Sequence, residues 1–291
     1  MDLLTKKIIH LQHCRGIGWK AIYLLLKQES DLKNLYQYSS TYLSNTLALS
    51  SSQAITVIEQ LKEQPIQPLI SKYESQGIMA IPIYSPFYPA LLKTLPQPPW
   101  ILYAAGNPAL LTRERKVAIV GARKANEYGH KSVRLLVPNL IQNDCVVVSG
   151  LAKGIDTFAH EEALANKGET IAVIAGGFQH LYPRENIPLA QKIIKSGLLL
   201  SEYPPNTKPE RWHFPARNRI ISGLSVGSVI VQAGKKSGSL ITAYCALEQG
   251  REVFCVPGRI DDPLSQGTNE LISEGAKLVQ TSEDILSEIM Q

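Results

Sequence analysis

The sequence predicts an α/β protein built on a doubly wound, mostly parallel sheet, with a small helical domain in front of it. Six short apolar runs without polar alternation occur after residue 115, and helical segments of ten or more residues separate most of them. Such runs are typical of strands that are buried on both faces, as in a parallel sheet under helices. In the first 65 residues, leucine and isoleucine recur at helical spacing instead, which predicts the helical part.

Residues 1–65 are predicted to form a helical domain of the helix-hairpin-helix or SAM-like type. Apolar residues at helical spacing flank the segment R-G-I-G-W (15–19), and further helices are expected around residues 31–38 and 51–63. A Gly-x-Gly turn between two helices can offer backbone N–H groups to a phosphate. The same pattern is typical of an ordinary helix-to-helix turn with glycine at the C-cap, which we favour because no second copy occurs.

Residues 66–111 are predicted to be a proline-rich, extended connector that packs on the following domain. Nine prolines fall between Pro65 and Pro108, a density that disfavours long helices. Apolar residues such as Ile81, Trp100 and Leu102 accompany them, so we expect this segment to contact the core.

Residues 112–291 are predicted to form the main α/β domain. The expected strands are residues 117–120, 145–148, 170–175, 198–200, 226–231 and 252–256. The expected helices are residues 127–141, 156–166, 187–196 and 239–248. Ligands of such sheets bind beyond the carboxyl ends of the strands, so a site is expected there.

The residues that follow the predicted strands are small or basic. Glycine and serine recur at these ends, and Arg123, Lys153 and Lys235 lie beside three of them. Small residues let another molecule approach the backbone, and a helix N-terminus such as the one expected at Ser239 presents free N–H groups to an anion. A single glycine would indicate only a tight turn, but the shared feature at four strand ends predicts an anion-binding crevice.

A cofactor is not predicted in this crevice. A G-x-G-x-x-G fingerprint starting at Gly121 would need glycine at two positions that hold Arg123 and Asn126. The second strand ends in Ser149 instead of the acidic residue that would bind a ribose hydroxyl. The segment G-K-K-S-G-S (234–239) has the wrong order for a P-loop.

Metal and membrane sites are not predicted either. The four cysteines form no CxxC pair and are expected to be reduced thiols. Asp156 and His160 have the i, i+4 spacing of a helical metal pair, but without a third ligand we expect an N-capping aspartate and a histidine bonded to the backbone. No apolar run approaches the roughly 20 residues that span a bilayer, and no secretory signal pattern occurs at the start, so a cytoplasmic protein is expected.

Positive charge is concentrated in two segments of the chain. Residues 86–160 carry 9 basic and 4 acidic side chains and residues 201–259 carry 8 and 4, whereas residues 260–291 carry 1 and 7. This asymmetry indicates a polyanionic partner.

The segment 208–219, K-P-E-R-W-H-F-P-A-R-N-R, interleaves basic residues with aromatic ones. Cations for phosphates beside rings for bases are typical of surfaces that bind single-stranded nucleic acids. We expect Phe214 to project from a loop at the rim of the crevice, where Pro215 biases it toward an extended conformation. Trp212 is expected in the core, and His213 is expected to have no direct role.

Seven short motifs follow one another in a characteristic order after residue 116. They are V-A-I-V-G-A-R (117–123), S-G-L-A-K-G-I-D (149–156), A-H (159–160), Y-P (182–183), F-P-A-R-N-R-I-I (214–221), S-G-S-L-I-T-A (237–243) and V-P-G (256–258). Together they closely resemble the bacterial DNA-processing protein A family (DprA, also called Smf), from about Tyr88 to the C-terminus. The resemblance implies an extended Rossmann-like fold and cooperative binding of single-stranded DNA. It also implies RecA loading during natural transformation and homodimers formed through the Rossmann-like domain, for which residues 240–247 and Phe254 offer apolar surface.

The resemblance also implies a set of DNA-binding residues. Arg123 matches the arginine of the family's G-S-R motif, although Ala122 replaces the serine. Together with the crevice residues, the predicted DNA-binding set is Gly121, Arg123, Lys153, Gly176, Gly177, Arg184, Arg211, Phe214, Arg217, Asn218, Arg219, Lys235, Ser237, Gly238 and Ser239.

A non-catalytic binding protein is expected, and the alternative is a nucleotide-processing enzyme of the phosphoribohydrolase type. Related enzymes of that type use P-G-G-x-G-T-x-x-E, and aligning Gly238 and Ser239 with its Gly-Thr places Thr242 where the catalytic glutamate belongs. Many family members also carry a C-terminal winged-helix domain, which we do not expect because the chain stops soon after Leu286.

Overall fold

A nine-stranded sheet forms the centre of the computed structural model, which describes residues 1–290. The strands are β1 (Ile78–Pro82), β2 (Ile101–Gly106), β3 (Lys116–Val120), β4 (Val146–Ser149), β5 (Thr170–Ile174), β6 (Leu198–Ser201), β7 (Gly227–Ile230), β8 (Glu252–Cys255) and β9 (Lys277–Leu278). Their order across the sheet is β1-β2-β6-β5-β4-β3-β7-β8-β9. From β6 to β9 in this order, each pair of neighbouring strands is parallel. The pairs β1–β2 and β2–β6 are antiparallel.

Helices occupy both ends of the chain and every long connection between the parallel strands. They are α1 (Leu3–His13), α2 (Trp19–Gln28), α3 (Ser40–Leu47), α4 (Ser51–Glu63), α5 (Ile66–Ser75), α6 (Ala90–Lys93), α7 (Glu127–Gln142), α8 (Ile155–Ala165), α9 (Ile187–Ser196), α10 (His213–Leu224), α11 (Gly238–Glu248), α12 (Gln266–Ser273) and α13 (Glu283–Ile289). Short 3-10 turns form at Leu35–Gln37, Pro108–Thr112, Phe178–His180 and Arg184–Asn186. No helix within residues 1–290 is both long enough and apolar enough to cross a membrane.

The parallel strands are buried on both faces, as their uninterrupted apolar runs predict. On β3, Val117 and Ile119 belong to one apolar cluster, and Ala118 and Val120 belong to another. Successive side chains of a strand point to opposite faces of the sheet, so the two clusters lie on opposite faces. Helices α7, α8 and α13 contribute to the first cluster, and α10, α11 and α12 contribute to the second. The prediction of a doubly wound, mostly parallel α/β sheet is confirmed.

Five helices precede the first strand and share an apolar cluster with β2. The helix predicted at residues 51–63 is α4, whose first turn is closed by a capping box between Ser50 and Gln53. The prediction of a helical segment ahead of the sheet is confirmed. The helix predicted at residues 31–38 is wrong: only the 3-10 turn Leu35–Gln37 forms there, and Ser39 caps the start of α3 directly afterwards.

The segment 66–111 is more ordered than the predicted extended connector. Residues 66–75 form α5, with Pro65 at the N-cap and Pro68 in the first turn. Proline is tolerated there because the first N–H groups of a helix have no intrahelical partner. Further along, β1 and β2 extend the sheet at its β6 edge. The expectation of an extended segment is therefore wrong at α5, while domain boundaries at residues 65 and 111 stay predictions.

The order of the strands creates a switch point between β3 and β7. From β3 the chain passes through α7 to β4 on one side, and from β7 it passes through α11 to β8 on the other side. The two connections leave in opposite directions, so a crevice opens at the carboxyl ends of these two neighbouring strands. This crevice positions the candidate functional site.

Candidate functional site

A groove of about 960 Å³ opens at the switch point between β3 and β7. We call it the strand-end groove. Of the predicted DNA-binding residues, the following line it: Gly121, Arg123, Arg211, Phe214, Arg217, Asn218, Ser237, Gly238 and Ser239. The remaining ones do not line it: Lys153, Gly176, Gly177, Arg184, Arg219 and Lys235.

Glycine is required at the start of the groove because two loops and a helix meet there. A Cβ atom on Gly121 would lie 2.6 Å from Cγ1 of Ile155, in the first turn of α8. Gly154 has φ +73°, and a Cβ atom there would collide with the carbonyl oxygen of Ala122. These glycines therefore bring α8 close to the end of β3 and expose Arg123 above it.

One corner of the strand-end groove combines a cation with two aromatic rings. Cζ of Arg123 lies 5.6 Å from the centre of the Phe214 ring, and the Tyr182 ring meets Phe214 edge to face at 5.8 Å. Arg123 is exposed and Tyr182 is 56% exposed, whereas Phe214 is half-buried. We call these three residues the aromatic corner. The cation and the rings can be reached by the same ligand.

Phe214 lies in the first turn of α10, not on a loop as predicted. Pro215 follows it within the same turn, where the missing proline N–H has no intrahelical acceptor to lose. The expected extended conformation is therefore wrong, because the start of a helix tolerates the Phe-Pro pair. The helix fixes the position of the ring more firmly than a loop would.

Arg217 is buried beneath the groove. Its side chain donates to the carbonyl oxygens of Gly150 and Val173, the latter at 2.7 Å, and to Oδ1 of Asn218 at 3.1 Å. Burial lowers the pKa of Arg217 to about 10, although the nearby Asp156 carboxylate favours the charged form. The guanidinium thus ties the ends of β4 and β5 together, and its hydrogen bonds are directed at the protein.

Asp156 accepts hydrogen bonds from the backbone N–H groups of Gly150, at 3.1 Å, and Ala152, at 3.4 Å. It holds the loop after β4 and does not cap α8, whose N-cap residue is Gly154. Burial raises the pKa of the Asp156 carboxyl, and the charge of Arg217 opposes that rise. The predicted role as an N-cap is wrong, since the carboxylate turns back to the preceding loop.

Asn218 and Arg219 also make structural contacts. Nδ2 of Asn218 donates to the carbonyl oxygen of Gly238 at 3.1 Å, which fixes the start of α11 against α10. Arg219 pairs with the carboxylate of Glu202 and donates to the carbonyl oxygen of Gln97 at 2.9 Å. Residues two apart on a helix point in different directions, which explains why Arg217 and Arg219 reach different neighbours.

Three of the remaining predicted residues lie at strand ends but outside the groove. Gly176 and Gly177 are covered by the chain's own segment 204–209, and the N–H of Gly177 donates to Thr207 at 2.8 Å. Their lack of a side chain is explained by this close approach and does not require a ligand. Lys153 pairs with Glu185 at 2.7 Å and lines a smaller pocket beside the aromatic corner.

The start of α11 closes the other side of the strand-end groove. Ser237 is the N-cap, and its Oγ accepts from the N–H of Ser239 at 3.4 Å. Lys236 lines the groove next to this cap, while Lys235 is exposed just outside the lining. A helix N-terminus flanked by lysines favours an anion at this end of the groove.

A sequence model described as DNA recombination-mediator protein A matches residues 79–290. The chain belongs to this family. The DNA processing protein DprA of Bacillus subtilis is 53% identical over 221 residues, which make up 76% of this chain and 74% of that protein. The X-ray structure of DprA from Streptococcus pneumoniae has a TM-score of 0.86 and 37% identity, and the match covers 99% of both chains.

A second structure of the recombination-mediator family concerns the single-stranded DNA binding mode of DprA from Helicobacter pylori. It has a TM-score of 0.67 and 33% identity, covering 73% of this chain and 95% of that one. The resemblance to the DprA/Smf family is confirmed, and at the level of the family this is a DNA-processing protein.

Several groove residues of this DprA family member were not predicted. Lys124, Tyr182 and Lys236 line the groove, and each is a neighbour of a predicted residue or motif. Trp212 is 57% exposed instead of buried, and its Nε1 donates to Glu210 at 2.6 Å. The available signal for Trp212 was its position next to a cluster of basic residues. The direction of its side chain, however, depends on where α10 begins.

Thr242 and His160 are the residues considered for an enzyme site and for a metal site. Thr242, at the position of a phosphoribohydrolase glutamate, is 1% exposed. The residues that the structure describes contain no group of three or more His, Cys, Asp or Glu side chains that could hold a metal ion. Nδ1 of His160 contacts Oγ1 of Thr170 at 2.7 Å, so its partner is a hydroxyl and not the predicted backbone group.

Proposed function

We propose that this protein binds single-stranded DNA in the strand-end groove without catalysing a reaction, protects the strand, and delivers it to a RecA recombinase in the cytoplasm. The observation that carries this proposal is the aromatic corner, where Arg123, Phe214 and Tyr182 share one open face at the switch point of the sheet. The relative from Helicobacter pylori, whose structure concerns single-stranded DNA binding, supports it.

The chemistry of the groove suits an unpaired strand. Arg123, Lys124, Arg211 and Lys236 line it and can bind successive phosphates, while the only acidic side chain in the lining, Asp156, is buried. Bases of a single strand can stack on Phe214 and Tyr182, and such stacking tolerates every base. Bases inside a duplex present only their edges, so the rings favour the single strand.

A nucleotide-processing enzyme is less well supported by the same groove. Buried Thr242 cannot act as a general acid or base, and the Asp156 carboxylate is engaged by two backbone N–H groups. The proposal of a non-catalytic binding protein therefore fits these side chains better.

A homodimer and a RecA contact require exposed surface, and α11 offers one apolar face. Ile241, Tyr244 and Leu247 are 40%, 47% and 53% exposed along this helix. Leu240 and Phe254 are buried in the core and are excluded from the dimer surface that was predicted to include them. We propose that the exposed face of α11 contacts a second copy or the recombinase.

Fluorescence anisotropy with labelled oligonucleotides tests the binding proposal. A thymidine oligonucleotide, the corresponding duplex and a mononucleotide competitor are compared over a range of salt concentrations. We expect the single strand to bind most tightly, with affinity that falls as salt rises. Equal affinity for duplex, or full competition by a mononucleotide at equal concentration, would contradict the proposal. Delivery to RecA is tested by the rate at which RecA forms filaments on oligonucleotides covered with single-strand-binding protein.

A further inference from the structure

A second groove, of about 710 Å³, runs along β1 at the edge of the sheet and shares no lining residue with the strand-end groove. We call it the edge groove. Its walls are β1 itself, the start of α1, the end of α5 and the turn at residues 84–86. We propose that the edge groove binds an extended, basic peptide segment of a partner protein, which adds to the sheet as a further strand next to β1.

The backbone of β1 is available on its outer side. β1 pairs only with β2, and the N–H of Ile83 donates to the carbonyl oxygen of Trp100 at 3.0 Å just beyond the strand. In an antiparallel pair, residues facing the partner alternate with residues whose backbone groups face away. With Ile83 paired, Ile78, Ala80 and Pro82 direct their backbone groups away from β2. Proline lacks an N–H group, so it fits an outward position at an edge.

This edge is short and ends in Pro82, but it lacks the other usual protections against strand addition. Proteins commonly block a free edge with lysine side chains, a bulge or a covering loop. No lysine or arginine lines the edge groove, and β1 pairs with β2 in unbroken register over all five residues. Pro82 limits pairing at one end, because it cannot donate and its carbonyl oxygen accepts from the Ser85 N–H at 2.8 Å. The N–H and C=O groups of Ile78 and Ala80 can therefore pair with a short extended peptide, as in other cases of strand addition.

The charge of the edge groove selects a basic segment. Asp2 and Glu74 contribute two carboxylates to the lining, which contains no lysine or arginine. Asp2 also caps α1 and accepts from Thr5 and Tyr84, so Glu74 is the more available of the two. A peptide with lysine or arginine at alternate positions would place these cations near the two carboxylates while its backbone pairs with β1.

An apolar pocket lies next to the edge groove, beyond Pro82. This pocket, of about 320 Å³, is lined by Leu4, Tyr23, Leu26, Ile83 and Trp100, among others, and we call it the Trp100 pocket. Tyr84 lines both the Trp100 pocket and the edge groove, so the two are neighbours on either side of this side chain. A peptide leaving β1 at Pro82 can insert a large apolar side chain there, which supplies specificity beyond the backbone pairing.

A synthetic fluorescent peptide tests the proposal on the full chain. The probe has alternating lysine and valine followed by glycine and phenylalanine, and its binding is followed by anisotropy. We expect a dissociation constant in the micromolar range. Two further probes carry N-methyl groups at either odd or even residues. Only one of these should lose binding, since only every second N–H of an added strand faces β1.

Two substitutions locate the peptide on the edge. Ala80→Pro removes an outward N–H without removing a bond to β2, and it should weaken the peptide at least about tenfold. Glu63→Lys, at an exposed acidic residue of α4 that does not line the edge groove, is the control and should bind normally. Single-stranded DNA binding and thermal unfolding of both variants verify the fold. If Ala80→Pro does not fold, Glu74→Lys takes its place and should weaken the probe by charge repulsion.

Three results would overturn the proposal. They are the absence of binding at about 1 mM peptide, equal binding of both N-methylated probes, and undiminished binding of the peptide to the Ala80→Pro variant. Light scattering excludes another occupant: a lower molar mass of Ala80→Pro than of the unsubstituted chain would assign the edge to a second copy and not to a peptide.

Discussion

Arg123 and Phe214 come from different connections of the sheet, yet the guanidinium carbon lies 5.6 Å from the centre of the ring. Arg123 follows β3, and Phe214 lies in the first turn of α10, after β6. Tyr182 meets the same ring from the side, so the cation proposed to bind a phosphate and the rings proposed to stack on a base lie within one nucleotide's reach. This relationship leads to the first two predictions, and the buried residues behind it lead to the next two.

Arg123→Ala should weaken single-stranded DNA binding equally for all sequences. The slope of log affinity against log salt should fall by about 0.7, the share of one phosphate contact on a single strand. Arg134→Ala, an exposed arginine on α7 outside the groove lining, is the matched control. An unchanged slope at full affinity would remove Arg123 from the site.

Phe214→Ala should reduce single-strand affinity by roughly tenfold or more, because one stacked base contributes about 1–3 kcal/mol. Since the ring is half-buried, the loss in unfolding free energy should stay below the roughly 3–5 kcal/mol of a core phenylalanine. A double-mutant cycle with Tyr182→Ala should show coupling in binding, as the two rings touch. A large loss of stability with normal binding by the folded fraction would show that the ring is structural.

Arg217→Ala should lower the free energy of unfolding by about 3–5 kcal/mol. It leaves the Gly150 and Val173 carbonyl groups without their donor and removes the positive charge near buried Asp156. The control is Arg134→Ala, at an exposed arginine of α7, which should change the stability by less than about 0.5 kcal/mol. Urea unfolding measures both. Normal stability of Arg217→Ala together with lost DNA binding would instead make Arg217 a direct contact.

His160 should make the protein less stable as pH falls below neutrality. The hydroxyl of Thr170 donates to Val147, so Nδ1 of His160 must donate to Thr170, and its buried Nε2 has no partner. Burial, aided by the charge of Arg217, lowers the His160 pKa from 6.5 to about 3. Protonation therefore favours the unfolded chain: stability is complete above pH 6.5 and declines toward the folded-state pKa.

The size of this decline is about 1.4 kcal/mol per pH unit for each such histidine. His13 contributes in the same direction, since burial and the nearby His10 lower its pKa to about 4. His160→Gln should reduce the slope of unfolding free energy between pH 6.5 and pH 5 by up to about 1.4 kcal/mol per pH unit, measured by urea titration. A slope equal to that of the unsubstituted protein would contradict the assignment.

Leu247→Glu should weaken self-association if the exposed face of α11 forms the dimer. A charge at this 53% exposed position disrupts an apolar contact but should leave the fold intact. Light scattering at micromolar concentration should give a lower molar mass than for the unsubstituted chain. Glu248→Gln on the same helix is the control. Unchanged mass with slower RecA filament formation would assign the face to the recombinase.

The sheet could be predicted from the sequence because strands buried on both faces must be apolar at every position. In a chain where short apolar runs alternate with helices, runs such as Val117–Val120 and Val146–Val148 indicate strands of a parallel sheet. The position of the groove could be predicted from the same runs, because parallel strands bring their carboxyl ends to one edge of the sheet. The ordered motifs then identified the family, which the match over residues 79–290 confirms.

Only the tertiary structure decided which basic and aromatic side chains face the groove. Arg123, Arg217 and Arg219 were all predicted to bind DNA. Arg123 is exposed, Arg217 is buried under the strand ends, and Arg219 pairs with Glu202. The sequence also did not predict the exposure of Trp212 or the open edge of β1. The physical reason is that local periodicity fixes the element, whereas the direction and burial of a single side chain depend on neighbours that are distant in the sequence.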